Sequence, residues 1–336
     1  MKNTPIFKKA DRMGKWIMGK FYYVFQYVDH GRGSLFYTRG NRLAEEGKTL
    51  RAIRQYTQAI RIDPKYISAY VMRGIAWHRI GSFDKAIEDF SRAINLDAYE
   101  DVAWFNRGLS HAASERLEEA IEDYSEAIEI NPSNVEAVFN RGVALYRMDI
   151  FEEALEDFAQ FTELMPENPE GYFSKAACYL QLEAEDAAIE ELSTAIYYQP
   201  RHEKALIQRG EVFIIKKEFK AAINDFQKAA QVNPDNPEIF LRLGQMRCEL
   251  LQLDLAMKDF QRAANLDPGN PVPFVETAKL LAILDEEDAF FNAMIEALQK
   301  GYRVWEDESL QSPEIDRYTQ TARFQNLVIQ FRTDHP

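Results

Sequence analysis

One small residue returns every 34 positions through most of this chain, as Gly40, Gly74, Gly108, Gly142, Ala176, Gly210 and Gly244. A second column at the same interval consists only of alanines: Ala52, Ala86, Ala120, Ala154, Ala188, Ala222 and Ala256. Seven units of 34 residues therefore run from Gly33 to Asn270 without an insertion or deletion. Repetition at this interval is typical of a solenoid, in which each unit packs mainly against its neighbours.

Each unit begins with the pattern of a short amphipathic helix. With Gly33 as position 1, position 4 is large, position 8 is the glycine column and position 11 is mostly bulky. Spacings of four and three residues place these positions on one stripe of an α-helix. The small residue at position 8 predicts that a second helix approaches closely there.

A second helix follows in each unit. Position 20 is alanine, position 24 is aromatic or leucine, and position 27 is alanine except for Phe161. These positions also step by four and three, so they share one helix face. Position 32 is proline in six of the seven units, with Ala98 as the exception, and proline ends a helix interior. The sequence therefore predicts one helical hairpin per unit.

The large–small–aromatic pattern of the first helix and the alanine–aromatic–alanine–proline pattern of the second resemble the tetratricopeptide repeat (TPR). The resemblance covers seven 34-residue TPR units over residues 33–270. It implies an all-α fold, a right-handed superhelical solenoid of TPR helical hairpins whose first helices line the concave face. Residues 271–301 fit a degenerate eighth repeat, in which Phe290 stands where alanine is expected.

Two columns carry opposite charges. Position 7 is basic in six units and position 23 is acidic in six, and they coincide in Arg73/Asp89, Arg107/Asp123, Arg141/Asp157, Lys175/Glu191 and Arg209/Asp225. The pairing recurs wherever the unit lies along the chain, so we interpret it as a structural ion-pair ladder between helices. Partly buried pairs of this kind fix register more than they add stability.

The residues before the first unit differ in charge from the rest. Residues 1–32 contain seven Lys or Arg and two Asp, a net charge of +5, and show the pattern of an amphipathic helix. One interpretation is an N-terminal cap, with Tyr22, Phe25 and Val28 at positions 24, 27 and 30 of a further unit. The others are a membrane-surface anchor helix over residues 5–28 and a targeting segment.

The other end also departs from the repeat. Residues 302–336 carry large apolar side chains at irregular spacing. They resemble the closing segment of bacterial repeat proteins of this family, and we expect them to form a C-terminal capping segment.

The resemblance places a partner on the concave face, at positions 2, 5, 6, 9, 12 and 13. Position 5 is apolar throughout, and position 6 carries amides in several middle units. Amides at a fixed rise can bind the backbone of an extended peptide, and aromatic rings can select its side chains. The candidate peptide-binding groove comprises Phe105, Asn106, Leu109, Phe139, Asn140, Val143, Tyr146, Arg147 and Phe173. Alternatively, the aromatic–asparagine pair serves packing alone.

Other function classes find little support. The net charge of −14 repels phosphate backbones, so nucleic acid is not an expected partner. Cys178 and Cys248 lie in different repeats, and the five histidines are scattered. No P-loop, nucleophile elbow or metal-binding spacing occurs. We therefore expect no catalytic residue, metal or cofactor.

The sequence thus predicts a non-enzymatic, cytoplasmic TPR scaffold or adaptor that binds a protein or peptide segment in its concave groove. The alternative is a peripheral membrane-associated assembly or trafficking factor, anchored to the membrane surface by the basic amphipathic helix within residues 5–28.

Overall fold

The computed structural model describes residues 33–303 and 313–334. Residues 1–32, to which the three interpretations of the N-terminal segment apply, lie outside the described residues. Within the described ranges the chain forms eighteen helices and no strand, which confirms the all-α prediction. The chain divides into two compact units, Met1–Met148 and Asp149–Pro336.

In the first unit, the described helices are α1 (Gly33–Glu45), α2 (Thr49–Ile62), α3 (Ile67–Arg79), α4 (Phe83–Leu96), α5 (Asp101–Ala113), α6 (Leu117–Ile130) and α7 (Val135–Arg147). Helices α1, α3 and α5 each pack on the following even-numbered helix to form a hairpin, and each of these second helices packs on the next odd-numbered helix. The first helices α1, α3, α5 and α7 also contact one another in succession.

In the second unit, the described helices are α8 (Phe151–Leu164), α9 (Pro169–Gln181), α10 (Glu185–Tyr198), α11 (Glu203–Ile215), α12 (Phe219–Val232), α13 (Pro237–Glu249), α14 (Leu253–Leu266), α15 (Val272–Ile283), α16 (Glu287–Gln299), α17 (Pro313–Thr319) and α18 (Ala322–Asp334). Helix α8 packs on α9, and α9 to α16 form four successive hairpins. Three helical hairpins are therefore present within the first unit and four within the second.

The glycine column packs against the aromatic column, as the repeat predicted. A Cβ atom at Gly108 would lie 2.7 Å from the ring of Tyr124, and one at Gly244 would lie 2.3 Å from the ring of Phe260. Real Cβ atoms do not come this close to ring carbons, so an alanine at these positions would force the ring or the helix to shift. The fifth repeat has Ala176 at position 8, and there position 24 is a leucine, Leu192.

The turn between the two helices of each repeat contains a left-handed residue that the sequence does not predict. Position 15 is in the left-handed region in every repeat, but only Gly47 and Gly81 are glycines. Side chains occupy that conformation at Glu115, Asp149, Glu183, Lys217, Leu251 and Asp285, with φ between 56° and 63°. The turn is a Schellman motif: the amide of Ser82 donates to the carbonyl of Trp77 at 2.9 Å, and equivalent bonds recur along the chain. These backbone hydrogen bonds stabilise a left-handed conformation that is unfavourable for residues with a Cβ atom.

Helices α17 and α18 pack on the last hairpin. Phe290 is fully buried, and its ring stacks on Tyr318 with the centroids 4.8 Å apart. The Tyr318 hydroxyl donates to the carboxylate of Asp285 at 2.8 Å, and Arg323 lies 2.9 Å from Asp288. Phe290 replaces the usual alanine because here the position also contacts α17.

Candidate functional site

A three-residue contact, which we call the staple, connects successive hairpins. In the second repeat, Nε and Nη2 of Arg73 donate to the carboxylate of Asp89 at 2.8 and 2.6 Å. Nη1 of the same guanidinium donates to the hydroxyl of Thr57, in the preceding hairpin, at 3.0 Å. The arginine at position 7 therefore joins position 23 of its own repeat to position 25 of the repeat before.

The staple recurs with the same geometry. Arg107 binds Asp123 at 2.6 Å and Ser91 at 3.0 Å. Arg209 binds Asp225 at 2.7 Å and Ser193 at 2.8 Å. The carboxylates are almost fully buried, whereas the guanidinium groups keep a small exposed edge. The predicted ladder is therefore present in these repeats, and its fourth pair, Lys175 with Glu191, is 2.5 Å apart.

The hydroxyl group is the part of the staple that sequence reasoning missed. Position 25 carries Thr57, Ser91, Ser125 and Ser193, and each stands sixteen residues before an arginine. The spacing was visible, since Ala159 precedes Lys175 and Gln227 precedes Leu243 where the arginine is replaced. In the remaining predicted pair, Arg141 lies in the first compact unit and Asp157 in the second. Nη1 of Arg141 donates to the hydroxyl of Ser125 at 3.1 Å, as the staple requires.

The seventh repeat keeps the buried carboxylate without an arginine at position 7. Leu243 occupies position 7, and Asp259 pairs with Arg247, which lies one helical turn later at position 11. Leu243 is buried in the apolar cluster around Phe226. A buried carboxylate thus has a cationic partner in each of these repeats, even where its usual partner is absent.

The candidate groove residues of the first unit lie on α5 and α7. Phe105, Leu109, Phe139 and Val143 are all half-buried. Phe105 and Leu109 pack on the core cluster around Tyr124, and the rings of Phe105 and Tyr124 have their centroids 6.0 Å apart. Phe105 and Leu109 therefore each have one side on the core and part of their surface in water.

The two candidate asparagines already use one amide hydrogen each. Nδ2 of Asn106 donates to the carbonyl of Val102 at 2.7 Å, and Nδ2 of Asn140 donates to the carbonyl of Glu136 at 2.7 Å. Asn106 is buried, whereas Asn140 is half-buried. Of the two amides, Asn140 therefore retains the accessible surface that a ligand would need.

The other candidate residues lie at the edges of this surface or elsewhere. Tyr146 is half-buried near the end of α7, and Arg147 is exposed and pairs with Glu115. Phe173 belongs to α9 in the second unit, where its ring lies 5.2 Å from the imidazole of the buried His202. The structure therefore brings eight of the nine candidates together on α5 and α7 and places Phe173 in the other unit.

An unusual carboxyl group precedes α5. Burial, together with the neighbouring Asp101 and Asp97, raises the pKa of Glu100 to about 7. Glu100 also interacts electrostatically with Tyr37, whose pKa is raised chiefly by burial. A protonated Glu100 is therefore the form that the fold favours.

Stability is expected to decrease as the pH rises, and Glu100 is expected to cause part of this loss. Between its ordinary pKa of 4.5 and the folded value of about 7, the native state holds a proton that the unfolded chain has released. We expect Glu100→Gln to match the wild type at pH 4 and to be more stable at pH 8, by up to about 2 kcal/mol after solvent screening. Urea melts measured across this pH range test the prediction. Glu118→Gln, at an exposed site, is the control, and parallel curves for the wild type and Glu100→Gln would contradict it.

Among residues 33–303 and 313–334, no group of three or more His, Cys, Asp or Glu side chains has a metal-binding arrangement. Within the same part of the chain, no helix has the length and apolar character needed to cross a bilayer.

Comparisons with known proteins agree with the geometry. A family model described as TPR repeat matches residues 40–81, 108–149 and 210–250, and one described as tetratricopeptide repeat matches residues 139–204. Together these matches cover more than half of the chain. No curated protein sequence matches at a significant level.

Several solved structures are similar to this one. The C-terminal part of a TPR repeat-containing protein from Cytophaga hutchinsonii aligns with a TM-score of 0.64 and 12% identity, over 71% of this chain and 98% of that one. A tetratricopeptide repeat protein from Parabacteroides merdae gives 0.53 and 16%, over 78% and 98%. The pilF protein of Pseudomonas aeruginosa gives 0.51 and 18%, over 62% and 94%. At these identities the similarity concerns the fold.

Proposed function

Because this chain belongs to the tetratricopeptide repeat family, we propose that it is a non-enzymatic scaffold that binds a segment of another protein on α5 and α7. One observation carries the proposal. Apolar side chains at positions 5 and 9 of these helices are partly exposed, although the packing positions 3, 8 and 10 of the same helices are buried. The proposed binding surface comprises Phe105, Leu109, Phe139, Val143 and Asn140.

The free energy for binding would come from the water-exposed part of these side chains. Removing apolar surface from water contributes about 25 cal/mol per Å². Phe105 and Phe139 are the largest of the set, and aromatic residues on a firm support are common anchors at protein interfaces. The core contacts of Phe105 hold its ring in place, so little side-chain entropy would be lost on binding.

Polar groups at the edge would orient the partner. The amide of Asn140 has a second N–H and a carbonyl oxygen besides the N–H donated to Glu136. Tyr146 and Arg147 lie about two helical turns beyond Asn140 on α7 and would contact the same segment. Phe173 occupies the equivalent position of α9, and we propose that it serves a corresponding surface in the second unit.

The test uses substitutions at two half-buried residues of α7 and leaves Phe105 and Leu109, which pack on the core cluster around Tyr124, unchanged. Asn140→Asp with Val143→Glu places charges on the proposed surface, and we expect peptides selected from a display library on the full chain to bind this variant at least about tenfold more weakly. Truncating Phe105 is less informative, because its ring contacts the core and alanine would also destabilise the hairpin.

A matched control lies on another helix face. Leu50 on α2 is 61% exposed, so Leu50→Glu adds a similar charge away from the proposed surface. Titration calorimetry on wild type, double variant and control gives the affinities, and circular dichroism verifies folding. Equal affinity for all three proteins would disprove the proposal.

The membrane-anchored alternative depends on residues 5–28, which lie outside the described residues. The described helices provide no observation that favours it over the scaffold.

A further inference from the structure

The outward face of α2 is basic and partly apolar. Positions 19, 22 and 29 of this helix hold Arg51, Arg54 and Arg61, which are all exposed. Leu50 and Ile62 flank them and are 61% and 45% exposed. At about 100° per residue, these side chains fall within about one third of the helix circumference. We call this set the basic face.

The basic face is unfavourable for the helix that carries it. Six of the eight described second helices have an acidic residue in the first turn, where the helix dipole favours negative charge. Helix α2 has none there and carries Arg51 instead. Within the described part of the chain, Arg51, Arg54 and Arg61 form no salt bridge. Unpaired charge beside exposed apolar side chains is typical of an interaction surface.

Helix α6 has the opposite charge at the same positions. Glutamates replace the three arginines, and two further glutamates lie beside them; this acidic face comprises Glu118, Glu119, Glu122, Glu126 and Glu129. All five side chains are exposed, and none forms a salt bridge with another described residue. Glu122 lies four residues from both Glu118 and Glu126, and like charges at this spacing destabilise a helix. A cationic partner would remove that repulsion.

The basic and acidic faces also match in length. Positions 19 to 29 extend over about 15 Å in both helices, so several ion pairs can form together. Helix α8 has glutamates at the same three positions, but Gln160 stands where α6 has Glu126. The acidic face of α6 is therefore the stronger counterpart of the basic face.

One molecule does not pair its own two faces. Helix α2 packs on α1 and α3, whereas α6 packs on α5 and α7, and the hairpin of α3 and α4 lies between them. The basic face of one copy therefore has to meet the acidic face of another copy. Because the two surfaces differ, each copy retains one of them, and assembly continues into a ring or an open chain.

We propose that this protein self-associates head to tail, with the basic face of α2 on one copy bound to the acidic face of α6 on the next. Single exposed ion pairs contribute little, so the contact depends on several pairs acting together and on the burial of Leu50 and Ile62. The contact uses second helices only, so it is separate from the surface on α5 and α7 that we propose for a partner segment.

Sedimentation velocity of the full chain over a dilution series tests the association. Raising the salt concentration from about 0.1 M to about 1 M shortens the Debye length from about 10 Å to about 3 Å. We expect oligomers in the lower salt and an association at least about tenfold weaker in the higher salt. A wild-type chain that remains monomeric in both would overturn the proposal.

Charge reversal of each face identifies the surfaces. The basic-face variant carries Arg51→Glu, Arg54→Glu and Arg61→Glu. The acidic-face variant carries Glu119→Arg, Glu122→Arg and Glu129→Arg. All six sites are exposed, so both variants should fold, which circular dichroism verifies. We expect each variant alone to associate at least about tenfold more weakly than the wild type, because its two faces now repel each other.

Mixing the two variants distinguishes a specific contact from a general effect of charge. The reversed α2 of the first variant matches the reversed α6 of the second, so an equimolar mixture should associate although neither component does so alone. A mixture that stays monomeric would show that these two faces are not partners.

The matched control reverses the same three positions on α8, as Glu153→Arg, Glu156→Arg and Glu163→Arg. This variant changes the net charge as much as the acidic-face variant does, and we expect it to associate like the wild type. An equal loss in the α8 variant would overturn the assignment to α6. If only the acidic-face variant loses association, another basic part of the chain occupies α6; if only the basic-face variant does, another acidic part occupies α2. Either result contradicts the proposed pairing.

Discussion

Arg107→Leu is expected to destabilise the protein by about 3 kcal/mol, because it leaves a buried carboxylate without its cation. Asp123 is 3% exposed and is bound by two nitrogens of the Arg107 guanidinium. His111 lies 3.7 Å from the same carboxylate, and burial lowers the pKa of its imidazole in the wild-type protein. Urea denaturation at pH 7 gives the free energy of unfolding.

A second substitution is expected to restore most of this loss. The seventh repeat has leucine at position 7 and arginine at position 11, and Arg247 there binds Asp259. Arg107→Leu with His111→Arg transfers that arrangement to the third repeat. We expect the double variant to lie within about 1 kcal/mol of wild type. If His111→Arg leaves the Arg107→Leu defect unchanged, the buried carboxylate is not the source of the instability.

Gly244→Ala is expected to destabilise the protein by about 1–3 kcal/mol, although alanine is the better helix former. The added Cβ would lie 2.3 Å from Cε1 of Phe260, which is fully buried and cannot move aside. Thermal and urea melts measure the loss. Gly269→Ala is the control, since a Cβ there would meet its nearest neighbour, a carboxylate oxygen of Asp267, at 3.7 Å.

The fifth repeat supplies the compensating change for Gly244→Ala. Ala176 is fully buried and is paired with Leu192 rather than with an aromatic residue. Phe260→Leu should therefore make Gly244→Ala less harmful, and the double variant should be more stable than the sum of the single effects predicts. Strict additivity would show that the glycine is needed for some reason other than contact with the ring.

Much of this fold could be predicted because its packing rules repeat. The glycine, alanine and proline columns correspond to close helix contacts and helix ends, and the arginine and aspartate columns correspond to real ion pairs. The left-handed residue at position 15 could not be predicted, since Glu115 or Leu251 gives no local sign of that conformation. The backbone hydrogen bonds of the turn stabilise this conformation, and backbone bonds do not depend on which side chain the residue carries.

The candidate binding residues were only partly predictable for a different reason. Positions 5 and 9 follow from the helical period, and they are on the surface as expected. Whether an amide is available to a ligand depends on its rotamer and neighbours. Asn106 and Asn140 are alike in the sequence, yet only Asn140 keeps appreciable exposure. The partition into two compact units, which separates Phe173 from the other candidates, is likewise invisible in an uninterrupted repeat.

The constant spacing of the staple determines whether the contact survives when a whole repeat is deleted or duplicated. Deleting the 34 codons of residues 67–100 would bring Arg107 opposite Thr57, and the new junction would again join a hydroxyl to a guanidinium. A duplication of the same block would create the same pair of groups. Loss or gain of this whole repeat would therefore preserve the staple without a compensating substitution. Two other pairs of neighbouring repeats lack the hydroxyl–guanidinium pair, because they have Ala159 before Lys175 and Gln227 before Leu243. A repeat inserted there would form a staple only if it carried the missing hydroxyl or guanidinium group.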